Sequence, residues 1–215
     1  MKNYLILMCV GILAMSLLSS CIGDRKSIIG ADLGDTSFVN TSFKANEIDY
    51  TEGMSACDQL SAATLADLYG VSEDMVIISD PTKMANSRIV GGPSCMIHIR
   101  LSERKGDHLT GTISLAREVG KDEFMGEIAE ATGGGENWEE AWAMKKAMRE
   151  STEWMEDMGK AALWTGKKRM LEIKLDGYTL SVLAPGAAFN LEENSRNRDY
   201  QKIAVAMAKS SGFIK

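Results

Sequence analysis

The side chains best suited to acid–base catalysis are two histidines, His98 and His108. His98 falls on the polar side of a strand-like alternation, and His108 lies in or near the following turn. A general base needs a nucleophile within hydrogen-bond reach. If the turn is centred near Arg104–Lys105, the two histidines are not directly opposite each other. The run Gly92-Pro93-Ser94-Cys95 does not match the G-x-S-x-G pattern of serine hydrolases. These features predict a protein that is not an enzyme, with a hydrolase assembled from scattered residues as the less favoured alternative.

The N-terminal segment has the residue order of a secretory export signal. Lys2 precedes an apolar run from Tyr4 to Leu18, and the small residues Ser19 and Ser20 follow that run. The run contains roughly 15 residues, fewer than the ~20 that a membrane-spanning helix needs. The pattern predicts that residues 1–20 form a signal peptide and that the rest of the chain is exported.

The residues Leu18-Ser19-Ser20-Cys21 resemble the bacterial lipobox, in which a leucine and two small residues precede a cysteine. The resemblance implies cleavage before Cys21, a diacylglyceryl thioether on its sulfur and acylation of the new amino group. Several acyl chains, at about 0.8 kcal/mol per buried methylene, would hold the protein on the membrane. An ordinary cleaved signal, or an uncleaved helix with an incidental cysteine, is the alternative.

The expected location is therefore the cell membrane or the outer membrane, with the lipid-anchored domain facing the periplasm or the exterior. Ile22 follows the cysteine. In Gram-negative bacteria an aspartate at that place resembles an inner-membrane retention mark, so its absence favours the outer membrane there. Residues 21–50 are polar with little periodicity, which predicts a lipidated cysteine followed by a flexible tether.

Charge and composition indicate an ordinary globular domain after the tether. The chain of 215 residues has a formal net charge of −6, and removal of residues 1–20 takes away Lys2 and no acid, so that −6 minus 1 gives −7. An acidic surface argues against nucleic acid as a partner, because nucleic-acid-binding proteins carry basic patches. The remaining length, roughly 160 residues, is typical of one domain. We therefore predict a single domain over residues 51–215.

Two of the four cysteines remain once Cys9 leaves with the signal and Cys21 carries lipid. Cys57 and Cys95 form an even pair in an exported chain, which most simply indicates one disulfide bond. Free thiols or a metal-binding pair are the alternatives, but neither cysteine has neighbours with metal-ligand spacing. We predict a Cys57–Cys95 disulfide and no metal or cofactor.

Alternating apolar residues predict an α+β fold, an antiparallel sheet of hairpins with helices packed on it. One predicted strand covers residues 75–78, and residues 95–101 and 109–115 are expected to form a hairpin. The pattern is clearest around Asp176-Gly177, a two-residue turn of the type that needs positive φ at both positions. Folding there pairs apolar residues on one face: Leu171 with Val182, Ile173 with Leu180, and Leu175 with Tyr178.

Helical patterns alternate with these strands. One helix follows Ser61 and ends at Gly70, a short one covers residues 124–128, and the last begins near Tyr200 and ends at Gly212. A longer helix is expected from Asn137, a good N-cap residue, to about Asp157. The triple glycine of residues 133–135 before that helix favours a hinge over a phosphate site, because the P-loop lysine is absent and acidic residues follow.

The long predicted helix carries methionines at three- and four-residue spacing, flanked by tryptophans. Methionine is common on surfaces that accept varied apolar partners, so we predict a binding surface for an apolar ligand or an envelope protein partner. Its candidate residues are Trp138, Trp142, Met144, Met148, Trp154 and Met155. Packing of this stripe on the sheet is the simpler alternative. Thioethers also suit Cu(I), but no histidine lies near them in the sequence.

A second resemblance covers most of residues 55–210. Ala56-Cys57-Asp58 runs into a short helix ending Leu68-Tyr69-Gly70, Cys95 lies on the next strands, and Gly159-Lys160-Ala161-Ala162-Leu163-Trp164 precedes a strand pair and a closing helix. This order resembles the paired-cysteine envelope lipoprotein domains of unknown function best known from actinobacteria. The resemblance implies a lipid-anchored, disulfide-bearing extracytoplasmic domain without established catalytic residues. A structural or assembly component of the envelope, without a small ligand, is the alternative function.

Overall fold

The computed structural model describes residues 29–45, 54–81, 93–103, 107–117, 137–186 and 198–214. Residues 1–28, including the predicted signal peptide and Cys21, lie outside this part of the chain, as do the predicted helix at 124–128 and the glycines at 133–135. The chain divides into two compact units. The first includes the described residues 29–36 and 137–148, and the second includes the described residues from 37 to 117 and from 149 to 214.

The second unit is built on a seven-stranded antiparallel sheet in the order β1-β2-β3-β7-β6-β5-β4. The strands are β1 (Val76–Ser79), β2 (Ser94–Arg100), β3 (His108–Arg117), β4 (Thr152–Met155), β5 (Ala161–Thr165), β6 (Met170–Lys174) and β7 (Tyr178–Gly186). Three α-helices stand in the described chain: α1 (Ala62–Tyr69), α2 (Trp138–Ala147) and α3 (Tyr200–Ser210). The α+β class with one antiparallel sheet is confirmed. The single domain over residues 51–215 stays a prediction.

Strands β6 and β7 pair in the register that their alternation predicts. Leu171 lies opposite Val182 and Ile173 lies opposite Leu180, and all four side chains are fully buried. A shift of one residue would turn all of them to the other face, so burial specifies the register. The turn differs from the predicted type, because only Gly177 has a positive φ, 71°, and Asp176 does not.

One face of the sheet carries the main core. Along β2 and β3 its buried side chains alternate with less buried ones, as in Cys95, Ile97 and Ile99 of β2. Helix α3 packs on β6 and β7, and α1 packs beside β1. The buried residues of α3 are Ile203, Ala204, Met207 and Ala208, at the spacing of one helical face.

The helix boundaries follow from capping. The Ser61 side chain accepts a hydrogen bond from Thr64 N at 3.3 Å, and α1 ends at Gly70 with a φ of 64°. Glycine is favoured at this position, because the residue that follows a helix often adopts a left-handed conformation. Helix α3 begins after Asp199, whose side chain caps Lys202 N, and Gly212 follows its end with a φ of 75°.

The prediction of one long helix from Asn137 to Asp157 is wrong for its second half. Asn137 caps its start by accepting from Glu140 N at 2.8 Å, but α2 ends at Ala147. Ser151 then adopts a φ of 57°, which an α-helix does not allow. Residues 152–155 instead form β4 and pair antiparallel with β5. Strand pairing with the sheet thus overrides the helical spacing of the methionines.

Cys57 and Cys95 lie at disulfide distance, with Cα atoms 5.0 Å apart and sulfur atoms 2.07 Å apart. These separations are those of a disulfide, so the predicted pairing agrees with the fold. Cys95 is completely buried near the start of β2, whereas Cys57 is half-buried in the turn before α1. Within the described ranges, no helix has the length and apolar character that crossing a membrane requires.

Candidate functional site

The six residues of the predicted Met/Trp surface do not share one helix face. Trp142 and Met144 lie on α2 with 4% and 3% of their surface exposed, and Met144 packs with Ala31 and Leu33 in the first unit. Trp138 is half-buried at the start of α2, and Met148 follows its end with 62% exposed. The four helical residues are thus divided between buried and exposed positions, so they do not form one continuous apolar surface.

The other two candidate residues stand on β4, on opposite sides of the strand. The Trp154 ring stacks on Phe38, with ring centroids 4.0 Å apart and planes inclined by 11°. The Met155 sulfur accepts a hydrogen bond from Gln201 Nε2 at 2.9 Å. Both side chains are half-buried by partners from their own unit, so neither presents a free apolar surface.

A cleft of about 310 Å³ lies in the second unit. We call it the Phe43 cleft. Its apolar walls come from Phe43, Leu175, Phe213 and Ile214. Leu175 and Phe213 each have 2% of their surface exposed, so they form a fixed floor that continues the main core. The volume lies at the lower end of the range of about 300–1,000 Å³ typical of small-molecule sites.

Polar groups surround the cleft. Asn40, Ser42, Lys44 and Asp157 line it beside the apolar walls. Lys44 and Asp157 bring opposite charges to the lining, so neither a purely anionic nor a purely cationic ligand is favoured. An apolar floor with few polar groups around it suits a small ligand that has an apolar body and a polar head.

Asn40 holds one wall of the cleft in place. Its backbone N–H donates to Lys160 O at 2.8 Å, and its side-chain Nδ2 donates to Gly159 O at 2.9 Å. Its Oδ1 accepts from Ser42 N at 3.0 Å, which is the Asx turn that asparagine favours. These bonds join residues 40–43 to the loop before β5, although this segment lies inside the predicted tether.

The loop at residues 156–160 also contributes to the lining, through Asp157 and Gly159. Gly159 has a φ of 60°, and Lys160 N donates to Lys174 O at 2.8 Å. Lys160 also forms an ion pair with Asp176. The loop is thereby held against the end of β6, where Leu175 reaches the cleft floor.

The two histidines come close together on the polar side of the β2–β3 pair. His98 lies opposite Thr110 and Arg100 lies opposite His108, so the histidines are diagonal neighbours, as the predicted turn implied. Their ring centroids are 5.6 Å apart. Thr110 Oγ1 is 3.4 Å from His98 Nδ1, which is longer than the ~2.6–3.2 Å suited to proton transfer.

His98 should titrate below the usual range for histidine. Burial lowers the pKa of His98 from 6.5, and the neighbouring His108 lowers it further. Because the folded state binds the proton more weakly than the unfolded chain, stability is retained above pH 6.5 and falls as the pH drops below it. We expect NMR titration of the His98 ring to give a pKa below 6.5.

The matched variant for this titration is His98→Gln. Urea unfolding at several pH values should show a smaller loss of stability below pH 6.5 in the variant than in the original chain. Equal pH dependence in the two chains, or a His98 pKa above 6.5, would contradict this prediction.

The Phe43 cleft was not anticipated by sequence reasoning. Its lining comes from residues 40–45, 157–159, 175 and 213–214, which are far apart in the chain and share no periodicity. The only local signal is the Asn40-Thr41-Ser42 turn sequence, which indicates a turn and not a site. Comparison with family models, with curated proteins and with solved structures finds no match to this chain.

Proposed function

We propose that this chain is a lipid-anchored envelope lipoprotein whose disulfide-bearing α+β domain binds a small apolar or amphipathic ligand in the Phe43 cleft, without catalysing a reaction. The observation that carries the proposal is the cleft of about 310 Å³ with Phe43, Leu175 and Phe213 in its walls. A dry cavity of about 150 Å³ accommodates benzene. The cleft is therefore large enough for a short acyl chain or a small aromatic body.

Lipid anchoring rests on the lipobox at Leu18–Cys21 and the apolar run before it. The Cys57–Cys95 pair at disulfide distance supports an oxidising, extracytoplasmic location, because such bonds are rare in the cytosol. The proposed absence of catalysis rests on the sequence, in which neither histidine belongs to a recognisable catalytic motif.

The lipid anchor is tested by Cys21→Ser in the full chain expressed in a bacterium. We expect a labelled fatty acid to be incorporated into the original protein and not into the variant, because the serine oxygen does not form the diacylglyceryl thioether. Cys9→Ser is the matched control and should be labelled like the original protein, since residue 9 lies inside the predicted signal. Fatty-acid labelling of the Cys21→Ser variant would contradict lipidation of Cys21.

Ligand binding is tested by adding decanoate or decanol, as amphiphilic probes, to the full chain in detergent. Binding is detected by NMR. We expect shifts in the signals of Phe43, Phe213 and Ile214 on addition of either probe. Asn40→Ala should weaken probe binding and lower stability by about 1–2 kcal/mol, because Gly159 O and Ser42 N lose a partner.

Asn137→Ala is the matched control for Asn40→Ala. Asn137 caps α2, so its loss should cost about 1 kcal/mol without affecting probe binding. A second variant, Ala45→Trp, places a large ring at the cleft lining and should block the probes while the fold is kept. Probe shifts that are absent from the cleft, or unchanged by Ala45→Trp, would contradict the proposal and favour a structural role without a small ligand.

A further inference from the structure

The polar side of the β2–β3 pair brings together two side chains that the proposed function does not use. His98 is on β2 and His108 is on β3, two residues before Thr110, which is the direct partner of His98. Residues two apart on a strand point to the same face, so His98, His108 and Thr110 share one side of the sheet. His98 is half-buried and His108 is exposed.

The ring separation matches that of two imidazoles on one metal ion. Zn²⁺ binds imidazole nitrogen at about 2.0–2.1 Å, which puts each ring centre about 3.1 Å from the metal and two such centres about 5 Å apart at the tetrahedral angle. The observed centroid distance is 5.6 Å, with the planes inclined by 63°. Small side-chain rotations would close the difference, and the exposed His108 ring has room for them.

Thr110 supplies the second feature of a ligating histidine. Its Oγ1 lies 3.4 Å from His98 Nδ1. When the hydroxyl accepts the Nδ1 proton, Nε2 keeps its lone pair for a metal. Metal-ligating histidines usually donate their other ring N–H to an oxygen, which orients the ring. The backbone register of β2 and β3 places this oxygen and both rings together.

Arg100 is the cation closest in register, since it lies directly opposite His108. Its Nη2 donates to Asp74 O at 2.8 Å. Asp74 belongs to the turn before β1, which adjoins β2 on the side away from β3. This bond holds the Arg100 guanidinium on the side of β2 that adjoins β1. His98 and His108 lie on the β2–β3 pair.

We propose that His98 and His108 form a two-imidazole site for a divalent transition metal ion of the class of Zn²⁺. Imidazole nitrogen suits Zn²⁺, Cu²⁺ and Ni²⁺ better than Mg²⁺ or Ca²⁺. In the described residues no group of three or more His, Cys, Asp or Glu is arranged to hold a metal. The proposed site supplies two protein ligands, His98 and His108, and water occupies the other positions.

The test uses the untagged full chain in detergent with ZnCl₂ alone, measured by equilibrium dialysis. The chain contains only two histidines, so each single variant assigns the imidazole signals by removing one of them. We expect His98→Gln and His108→Gln each to weaken histidine-dependent binding by about tenfold or more, and the double variant to lose it. Thr112→Val, on the same face of β3, is the control and should bind like the original chain.

Zinc bound anywhere other than at the two histidines survives in the double histidine variant and is subtracted. Circular dichroism establishes that each variant is folded. A second measurement needs no substitution: both histidine ring signals should shift together in NMR spectra as Zn²⁺ is added to the original chain. The proposal is overturned if neither ring shifts at saturating zinc, if the double variant binds as the original does, or if only one histidine matters.

Discussion

Loss of the Cys57–Cys95 bond is expected to lower the free energy of unfolding of the sheet-containing unit by about 4 kcal/mol. The two cysteines are separated by 38 positions in the sequence. A cross-link across a loop of this length removes many conformations from the unfolded chain, so it stabilises the folded state by comparison. For a domain of roughly 160 residues, this loss corresponds to a fall in melting temperature of about 10 °C.

The position of the bond adds to this expectation. Cys95 is fully buried between the strand neighbours of β2, and its direct partner on β3 is Ile113. Cys57 lies in the turn that leads into α1, where Leu60 N donates to Cys57 O at 3.0 Å. The bond therefore joins the segment that contains α1 to β2, and its loss should release α1 first.

The cleanest comparison is the oxidised chain against the same chain in reductant, unfolded in urea. The double variant Cys57→Ala/Cys95→Ala is the control, and reductant should not change its unfolding midpoint. Alanine is chosen because serine would place a hydroxyl in the buried position of Cys95. Equal midpoints with and without reductant for the original chain would show that the two sulfur atoms do not form a stabilising bond.

The parts of the fold that sequence reasoning predicted are those with strong local patterns. Strands β6 and β7 alternate with a period of two, so burial alone specifies the pairing of Leu171 with Val182. The last helix has its apolar residues on one stripe, and Ile203 and Met207 are buried as expected. Caps at Ser61 and Asn137 were recognisable because their side chains bond to backbone groups three residues away.

The parts that were missed depend on contacts between distant residues. The spacing of Met148 and Met155 suits a helix, but the segment after α2 gains more by pairing with β5, where Trp154 lies opposite Leu163. No local pattern carries that information, because β5 itself is an unbroken buried run with no alternation. The Phe43 cleft was hidden for the same reason, since Asn40 reaches across 119 positions to Gly159.

Gly159→Ala is expected to destabilise the same unit by about 3 kcal/mol, from backbone strain of about 1 kcal/mol and overpacking of about 2 kcal/mol. Gly159 has a φ of 60°, and a Cβ there would lie 2.6 Å from Ile173 Cγ2 and closer than 3.0 Å to Lys174 O. That carbonyl accepts the hydrogen bond from Lys160 N at 2.8 Å. The loop therefore has to move away from β6, and this movement breaks a backbone bond.

Gly177→Ala distinguishes backbone strain from overpacking as the cause of the lost stability. Gly177 has a φ of 71° and nothing within 4 Å of a Cβ placed there, so only the strain of about 1 kcal/mol applies. Because Gly159 O also accepts from Asn40 Nδ2, Gly159→Ala should weaken decanoate binding in the Phe43 cleft, whereas Gly177→Ala should leave it unchanged. Urea unfolding and probe titration of both variants measure this contrast. Equal losses of stability would mean that the loop at residues 156–160 does not pack against β6 as closely as the geometry requires.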